Sequence, residues 1–267
     1  MAHILTMIIT TWNINGVKAR LETAVAYLRE AKPDVVCLQE IKSVDEGFPR
    51  EAFEELGFNV ATLGQKGFNG VAILSKTPLE DVTRGLPGND EDPQSRWIEA
   101  LVPAGKKVIR VACLYLPNGN PIGTEKFSYK LAWMARLKTH AAKLLKDEIP
   151  LVMLGDYNVI AEAEDAKRPE AWTNDALFQP ESRSAYRALI HLGLTDAVRA
   201  CHPQPGVYTF WDYQAGAFQK DDGIRIDHIL LSPEAAGMMR ASGIDKAQRA
   251  TEKPSDHVPV WVELESC

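Results

Sequence analysis

A chain of 267 residues with 45% hydrophobic and 25% charged side chains can bury a large core and shows no bias toward disorder. Its formal net charge of -6 argues mildly against a duplex-binding protein, which usually carries a basic footprint, although a basic strip can sit on one face of an acidic protein. No apolar stretch reaches the length of a bilayer span, and the first residues lack the basic lead and cleavage site of a signal peptide, so a cytoplasmic protein without a membrane partner is expected.

Met1 to Thr6 reads as a loose extension, and residues 7–265 as one catalytic domain with no internal linker. Met7 to Trp12 is a short β-branched strand. Leu21, Ala24, Val25 and Leu28 repeat at helical spacing until Lys32-Pro33 stops the helix. Val35 to Leu38 is a continuous apolar run, as a strand covered on both faces requires. A helix over Arg50 to Leu56 precedes strands at Asn59 to Leu63 and Val71 to Ser75. Trp97 to Val102 and Val108 to Leu116 flank Pro103-Ala104-Gly105 and read as a hairpin. Lys126 to Lys146 is helical and Leu151 to Leu154 a buried strand. Glu162 to Gln179, polar and aperiodic, is a long loop of the functional kind. Ser184 to Leu192 is helical, and strands recur at Ile226 to Leu231, Ile244 to Gln248 and Val258 to Leu264. Helix-strand alternation in two halves, each with an apolar strand ending in an acid (Glu40, then Asp156), suggests an α/β protein of two packed sheets flanked by helices. Cys37, Cys113, Cys201 and Cys267 form no C-x-x-C pair and read as reduced thiols rather than disulfide or zinc partners.

Four strand ends carry polar residues: Thr11-Trp12-Asn13-Ile14-Asn15-Gly16, Leu38-Gln39-Glu40, Gly155-Asp156-Tyr157-Asn158 and Ser255-Asp256-His257. Each alone could be a turn or a cap. Together they occupy the position where open α/β sheets gather their sites. Carboxylate and amide oxygens without thiols suit a hard cation, Mg²⁺ or Mn²⁺, whose charge would also relieve the repulsion among the acids.

With Gly70-Val71-Ala72-Ile73-Leu74-Ser75, Tyr115, Arg225-Ile226-Asp227 and Lys253-Pro254-Ser255-Asp256-His257, these motifs run in order from about Met7 to Glu263. The sequence resembles the exonuclease III family of abasic-site endonucleases, within the endonuclease/exonuclease/phosphatase superfamily. The resemblance implies a four-layered α/β sandwich and a monomeric, Mg²⁺-dependent nuclease working in the cytoplasm at the bacterial nucleoid. Such an enzyme nicks double-stranded DNA 5′ to an abasic site, leaving a 3′-hydroxyl and a 5′-phosphate, and also acts on 3′-blocked ends or as a 3′–5′ exonuclease. Which of these activities dominates stays open, as does a relative's activity on another phosphoester.

By the same resemblance Glu40 is the principal metal ligand, with Asn13 and Asp256 nearby and Asp156, Asn158 and His257 within the metal and phosphate set. Asp156 orients or deprotonates the attacking water, Asn158 and His257 hold the phosphate, and Asp227 backs the ring of His257. A buried salt bridge to Arg225 is the competing account of Asp227. Tyr115 assists with the phosphate or the leaving oxygen, or is only an interfacial aromatic. Asn118, Asn15, Lys66, Asn69 and Arg225 are candidate DNA contacts, each basic residue being open to reading as a solvated charge. Phe210, Trp211, Ile224 and Ile226 would wall a pocket for a flipped-out, base-free sugar, which is cheap to extrude because its pairing and stacking are already lost. Trp211 fits a core strand about as well. The loop Glu162 to Gln179 departs most from the family pattern, which leaves its grip on the minor groove in doubt.

Overall fold

A computed structural model describes residues 5–266. Two six-stranded sheets pack face to face, and helices cover their outer faces, giving four layers. The first sheet takes β1 (Leu5–Asn13), β2 (Val35–Gln39), β3 (Asn59–Leu63) and β4 (Val71–Ser75), with α1 (Leu21–Ala31) and α2 (Arg50–Glu54) between them. The second takes β5 (Glu80–Arg84), β6 (Trp97–Ala104), β7 (Lys107–Tyr115), β8 (Leu151–Asp156), β9 (Thr195–Asp196) and β10 (Asp227–Leu231). Its helices are α3 (Glu125–Leu144), α4 (Pro180–Ile190), α5 (Ala197–Cys201) and α6 (Pro233–Ala236). The chain then returns to the first sheet as β11 (Met239–Ile244) and β12 (Val260–Ser266).

The strand orders are β11-β12-β1-β2-β4-β3 and β5-β6-β7-β8-β10-β9. At the centre of each sheet lies one parallel pair joined by a helix: β1–α1–β2 in the first and β7–α3–β8 in the second. The echo between the halves is thus a repeated β-α-β unit, and each unit ends its strands in the candidate site.

The apolar run of β2 explains itself by alternation. Val35 and Cys37 face the inter-sheet core with Ile9, Val111, Cys113 and Leu154, whereas Val36 and Leu38 face Trp12, Leu28 and Phe53 under α1 and α2. Helix α3 begins at Thr124, whose hydroxyl accepts the Lys126 N–H at 3.3 Å, and seats Trp133, Met134 and Leu137 on the second sheet. Helix α1 closes at Lys32, left-handed at φ 49°, just before Pro33.

Several expectations need correction. Leu5 and Thr6 are not a loose extension but open β1, paired with Ser266 and Glu265 of β12; residues 1–4 and Cys267 lie outside the described residues. The hairpin turn is Gly105-Lys106, not Pro103 to Gly105, and Gly105 supplies the positive φ (66°) that a two-residue turn demands. The strand expected at Ile244 to Gln248 lies earlier, at Met239–Ile244, and Lys246–Ala250 is a 3-10 turn. β11 is a bulged edge strand of small and polar residues whose Gly243 lets Trp261 lie flush against the backbone, so periodicity could not reveal it. The short strands β5 and β9 were likewise invisible to the apolar pattern.

Candidate active site

Parallel strands deliver their carboxyl ends to one edge of the molecule. Asn13 is the last residue of β1, Glu40 follows β2, Tyr115 ends β7 and Asp156 ends β8. A strand antiparallel to these enters where they exit. Asp227 therefore opens β10 directly opposite Asp156, and Ser255-Asp256-His257 leads into β12 beside β1. Just past the strand ends Asn15 (φ 47°), Glu40 (φ 50°) and Asn158 (φ 48°) adopt left-handed backbone, common for Asn but costly for Glu. Such strain persists only where surrounding bonds hold it, and at Glu40 they do: its carbonyl accepts the Gly16 N–H at 2.7 Å and its carboxylate is held by Asn13 and Lys42.

Asn13 is the hinge between the sheets. Its Nδ2 donates to Glu40 Oε1 and to Asp156 Oδ2, both at 2.9 Å, and its Oδ1 accepts the Asn15 N–H. Lys42 Nζ lies 2.9 Å from Glu40 Oε2. Asn15 donates to Asp256 Oδ1 at 3.0 Å. The His257 Nδ1–H donates to Asp227 Oδ2 at 2.8 Å, leaving Nε2 3.8 Å from Asp156 Oδ2. The ring is fixed from behind: Trp12 Nε1 donates to the His257 carbonyl, and the Ser255 hydroxyl donates to the Asn13 carbonyl while accepting the His257 N–H. Asp227 is seated in turn by Thr209, whose Oγ1 accepts the N–H groups of Ile226 and Asp227. Lys42, Thr209 and the Ser255 hydroxyl were not singled out from sequence. Lys42 could have been, as the cation two residues beyond the strand-end acid.

Burial pushes Asp156 up to about 7; Asp227 adds to the push, and His257 with the Asn158 and Asn13 donors opposes it. Burial alone would lower His257, but Asp227 and Asp156 outweigh it and raise the imidazole to about 10. Desolvation of Glu40 is overcome by Asn13 and Lys42, which keep it below the usual carboxylate range. Tyr115 is pushed well above its ordinary value by burial and by Glu40 and Asp156, so it stays a phenol and a donor. At neutral pH the site thus sets a carboxylate near its titration point against an imidazolium.

The donor set fits a hard divalent cation. Glu40, Asp156, Asp227 and Asp256 bring four carboxylates against Lys42 and His257, and ligand atoms of Asp156, Asp227 and His257 lie within 4.8 Å of one another. Asp227 Oδ1 is buried without a hydrogen-bond partner among the described residues, an acceptor waiting for a donor or a cation. Asn13 turns its nitrogen, not its oxygen, to the acids. His257 holds a proton toward Asp227, so in this arrangement the carboxylates are the natural ligands and the ring is a donor.

The remaining expected residues divide. Asn118 is exposed and donates to Asn158 Oδ1 at 3.2 Å, while Asn158 donates to the Leu116 carbonyl at 2.9 Å. Lys66 is exposed on the loop that also carries Phe68, 58% exposed. Asn15 is engaged within the site, on Asp256. Asn69 is not a surface contact: it is buried, left-handed at φ 54°, and donates to Gln65, so it shapes the loop rather than reaching outward.

Arg225 is not a DNA contact either. It is 1% exposed and binds Asp165 through Nε at 2.8 Å and Nη2 at 3.1 Å, and Asp196 through Nη1 at 2.7 Å. Asp196 sits well below the usual carboxylate range and Asp165 is lowered too; burial opposes this, and Arg225 is the principal cause in each. This network pins the loop 162–179 at Asp165. Asp227 therefore has no salt bridge to Arg225 and is free for His257.

Trp211 does not line the candidate sugar pocket. Adjacent residues of an extended segment point to opposite sides. Phe210 faces His257, ring centroids 5.0 Å apart, so Trp211 must face away, against Tyr208, Phe218 and Gly223. Phe210 and Ile224 instead share a cleft of about 350 Å³ with Trp172 and Ala217, and buried Ile226 packs behind them.

The Endonuclease/Exonuclease/phosphatase family matches residues 10–257. The chain is 36% identical over 262 residues to exodeoxyribonuclease III of Haemophilus influenzae, covering 95% of this chain and 98% of that protein. It superposes with a TM-score of 0.93 on the 3′–5′ exonuclease NExo of Neisseria meningitidis at 39% identity, covering 97% and 100% of the two chains. An AP endonuclease of Archaeoglobus fulgidus gives a TM-score of 0.90 at 37% identity, over 96% and 98%.

Proposed function

The chain belongs to the endonuclease/exonuclease/phosphatase family, and we propose that it is a DNA-repair phosphodiesterase. It nicks duplex DNA 5′ to an abasic site and also works on 3′ ends as an exonuclease or phosphodiesterase. The observation that carries this reading is the opposition across one gap of a carboxylate near neutrality, Asp156, and an imidazolium, His257, beside a cluster of acids. That pairing suits attack on a phosphodiester, which needs a base on one side and charge stabilisation on the other. The three relatives named above are an exodeoxyribonuclease, an exonuclease and an AP endonuclease, which supports DNA as the substrate.

Asp156 takes a proton from the attacking water as it approaches phosphorus. The His257 imidazolium, oriented by Asp227, donates to a non-bridging oxygen as charge develops there. The amides of Asn158 and Asn118 hold the phosphate, and the Tyr115 phenol donates to it or to the departing oxygen. Glu40, with Asp156 and Asp256 nearby, would hold Mg²⁺, or Mn²⁺ in its place, which when bound neutralises charge on the phosphate and on the leaving 3′-oxygen. The P–O3′ bond breaks, and the products are a 3′-hydroxyl and a 5′-phosphate. Phe210 and Ile224 would offer an apolar wall to a base-free sugar, and Asn118 and Lys66 would meet the backbone. We place this activity in the cytoplasm, at the nucleoid, and in a monomer.

The test uses a duplex oligonucleotide with one tetrahydrofuran residue, incubated with Mg²⁺ and then with EDTA. Nicking 5′ to the tetrahydrofuran that EDTA abolishes is expected. Failure to nick at enzyme excess, with release of phosphate from an inositol polyphosphate instead, would overturn the reading.

A further inference from the structure

One charged group close to the site has no part in the chemistry described so far. Lys130 lies in the core-facing stripe of α3 with Trp133, Met134 and Leu137, a position that normally carries an apolar residue. It is fully buried, and among the described residues no carboxylate pairs with it. Its Nζ instead donates to two backbone carbonyls, that of Asn118 at 3.0 Å and that of Asn158 at 2.6 Å.

These carbonyls belong to different turns. Asn118 lies in the turn leaving β7, and Asn158 in the turn leaving β8. Gly119 (φ 89°) presses so close to the lysine stem that an added Cβ would sit 2.6 Å from its Cδ, so the stem is packed as tightly as the nitrogen is bonded. The side chains of the same two residues meet on the site side, Asn118 Nδ2 donating to Asn158 Oδ1. The backbone of Asn158 in turn donates to Asp156 Oδ1 at 2.9 Å.

We propose that Lys130 is a positioning residue: it ties the turn after β7 to the turn after β8 and so fixes the asparagine pair against the scissile phosphate. The role of that pair rests on the function proposed above; the tie itself does not. Burial pulls Lys130 down to about 7 against the pull of Asp156 and Asp175, and in either charge state its nitrogen is a buried donor. Two carbonyls on separate turns satisfy that donor only while those turns stay in register. The bridge is therefore sensitive to the one geometry that the asparagines need.

The experiment is a double-mutant cycle of Lys130→Met and Asn118→Ala on the tetrahydrofuran duplex, read as kcat and KM separately. Misplacing a group by about 1 Å can cost on the order of a hundredfold. Lys130→Met should lower kcat by about ten- to a hundredfold and change KM by less than about threefold. The double variant should lose less than the product of the two single losses, because part of the Lys130 effect runs through Asn118. A folded Lys130→Met enzyme within about twofold of the parent, or losses that multiply in the double variant, would overturn the proposal. Should the methionine variant not fold, Lys130→Gln, whose nitrogen sits on a stem one bond shorter, replaces it in the cycle with the same expected and overturning outcomes.

The side-chain amide resonances of Asn118 and Asn158 give a second readout that needs no turnover. They should shift and broaden in the Lys130 variant, and their persistence unchanged would sink the tie. If the parent enzyme left DNA uncut while these resonances still responded to the substitution, the functional reading would fall and the tie would stand.

Discussion

Two buried charge clusters lie a few residues apart along β10 and its lead-in, and they are built on opposite rules. Around Arg225, two acids (Asp165 and Asp196) face two arginines (Arg225 and Arg199), and each acid is held in its charged form. His228 completes that cluster: its Nδ1 lies 3.0 Å from Arg225 Nη1 and 3.6 Å from Asp196 Oδ2, and its Nε2 lies 2.9 Å from the Val159 carbonyl. Around Asp227, among the described residues, four acids are contacted at ion-pair distance by Lys42 and His257, and Asp156 is driven up to about 7 instead of down. Compensation makes a structural joint. A deficit of positive charge makes a site that favours a cation or a donor-rich ligand, and perturbed carboxylates mark it.

That contrast can be broken at either cluster. The largest effect should come from Asp156→Asn, which keeps shape and removes the base: turnover should fall by about 10³- to 10⁴-fold. Binding to the abasic duplex, measured by fluorescence anisotropy with Ca²⁺ in place of Mg²⁺, should persist. An unchanged rate would take Asp156 out of the mechanism. Arg225→Met should act on stability instead. Leaving Asp165 and Asp196 buried without their partner costs about 3–5 kcal/mol, seen as a lower denaturation midpoint, with kcat largely retained below the transition. If the same variant stayed stable but lost DNA affinity in proportion to salt, Arg225 would be a phosphate contact after all.

Asp227→Asn tests the deficit from its own side. It removes the main support of the His257 charge, so the alkaline limb of the rate profile, expected near 10, should move downward, and the rate should fall by about a hundredfold. The same residue predicts a stability trend in EDTA. His257 is raised when folded, so its contribution is complete below its ordinary 6.5 and fades as pH climbs through about 10. Asp156 is also raised, so it stays protonated in the folded state while the unfolded chain ionises, and stability declines from about 4 to about 7. The decline should be absent from metal-free Asp156→Asn, and parallel pH trends in parent and variant would contradict the assignment. The smallest effect is on Mg²⁺ itself: the melting temperature should rise by a few degrees at saturating cation in the parent and by less in Glu40→Gln.

What was legible in the sequence followed from strand ends. Val35 to Leu38 and Leu151 to Leu154 are apolar enough to be central strands, so Glu40 and Asp156 could be placed at their exits. Asn13, Asp227 and His257 then fell into place through the family pattern. Pairing partners were not legible, because they depend on folds of the chain that leave no trace in spacing. Asp165, sixty residues upstream of Arg225, decides that this arginine is structural. Trp211 shows a different limit: its aromatic run looked like one wall, yet alternation along an extended segment sends neighbours to opposite faces. Lys130 was readable in principle, as a charge at an apolar position of the α3 stripe, but nothing in the sequence names its acceptors.

Asn13 bridges the two sheets with a pair of 2.9 Å bonds, one to an acid of each. Activity should consequently behave as a gauge of the spacing between the layers. A one-methylene change deep in the core, at Ile9 or Leu154 for instance, would be felt at the bridge long before it threatened folding. Variants selected only for thermal robustness of this core could therefore come out sturdy and slow.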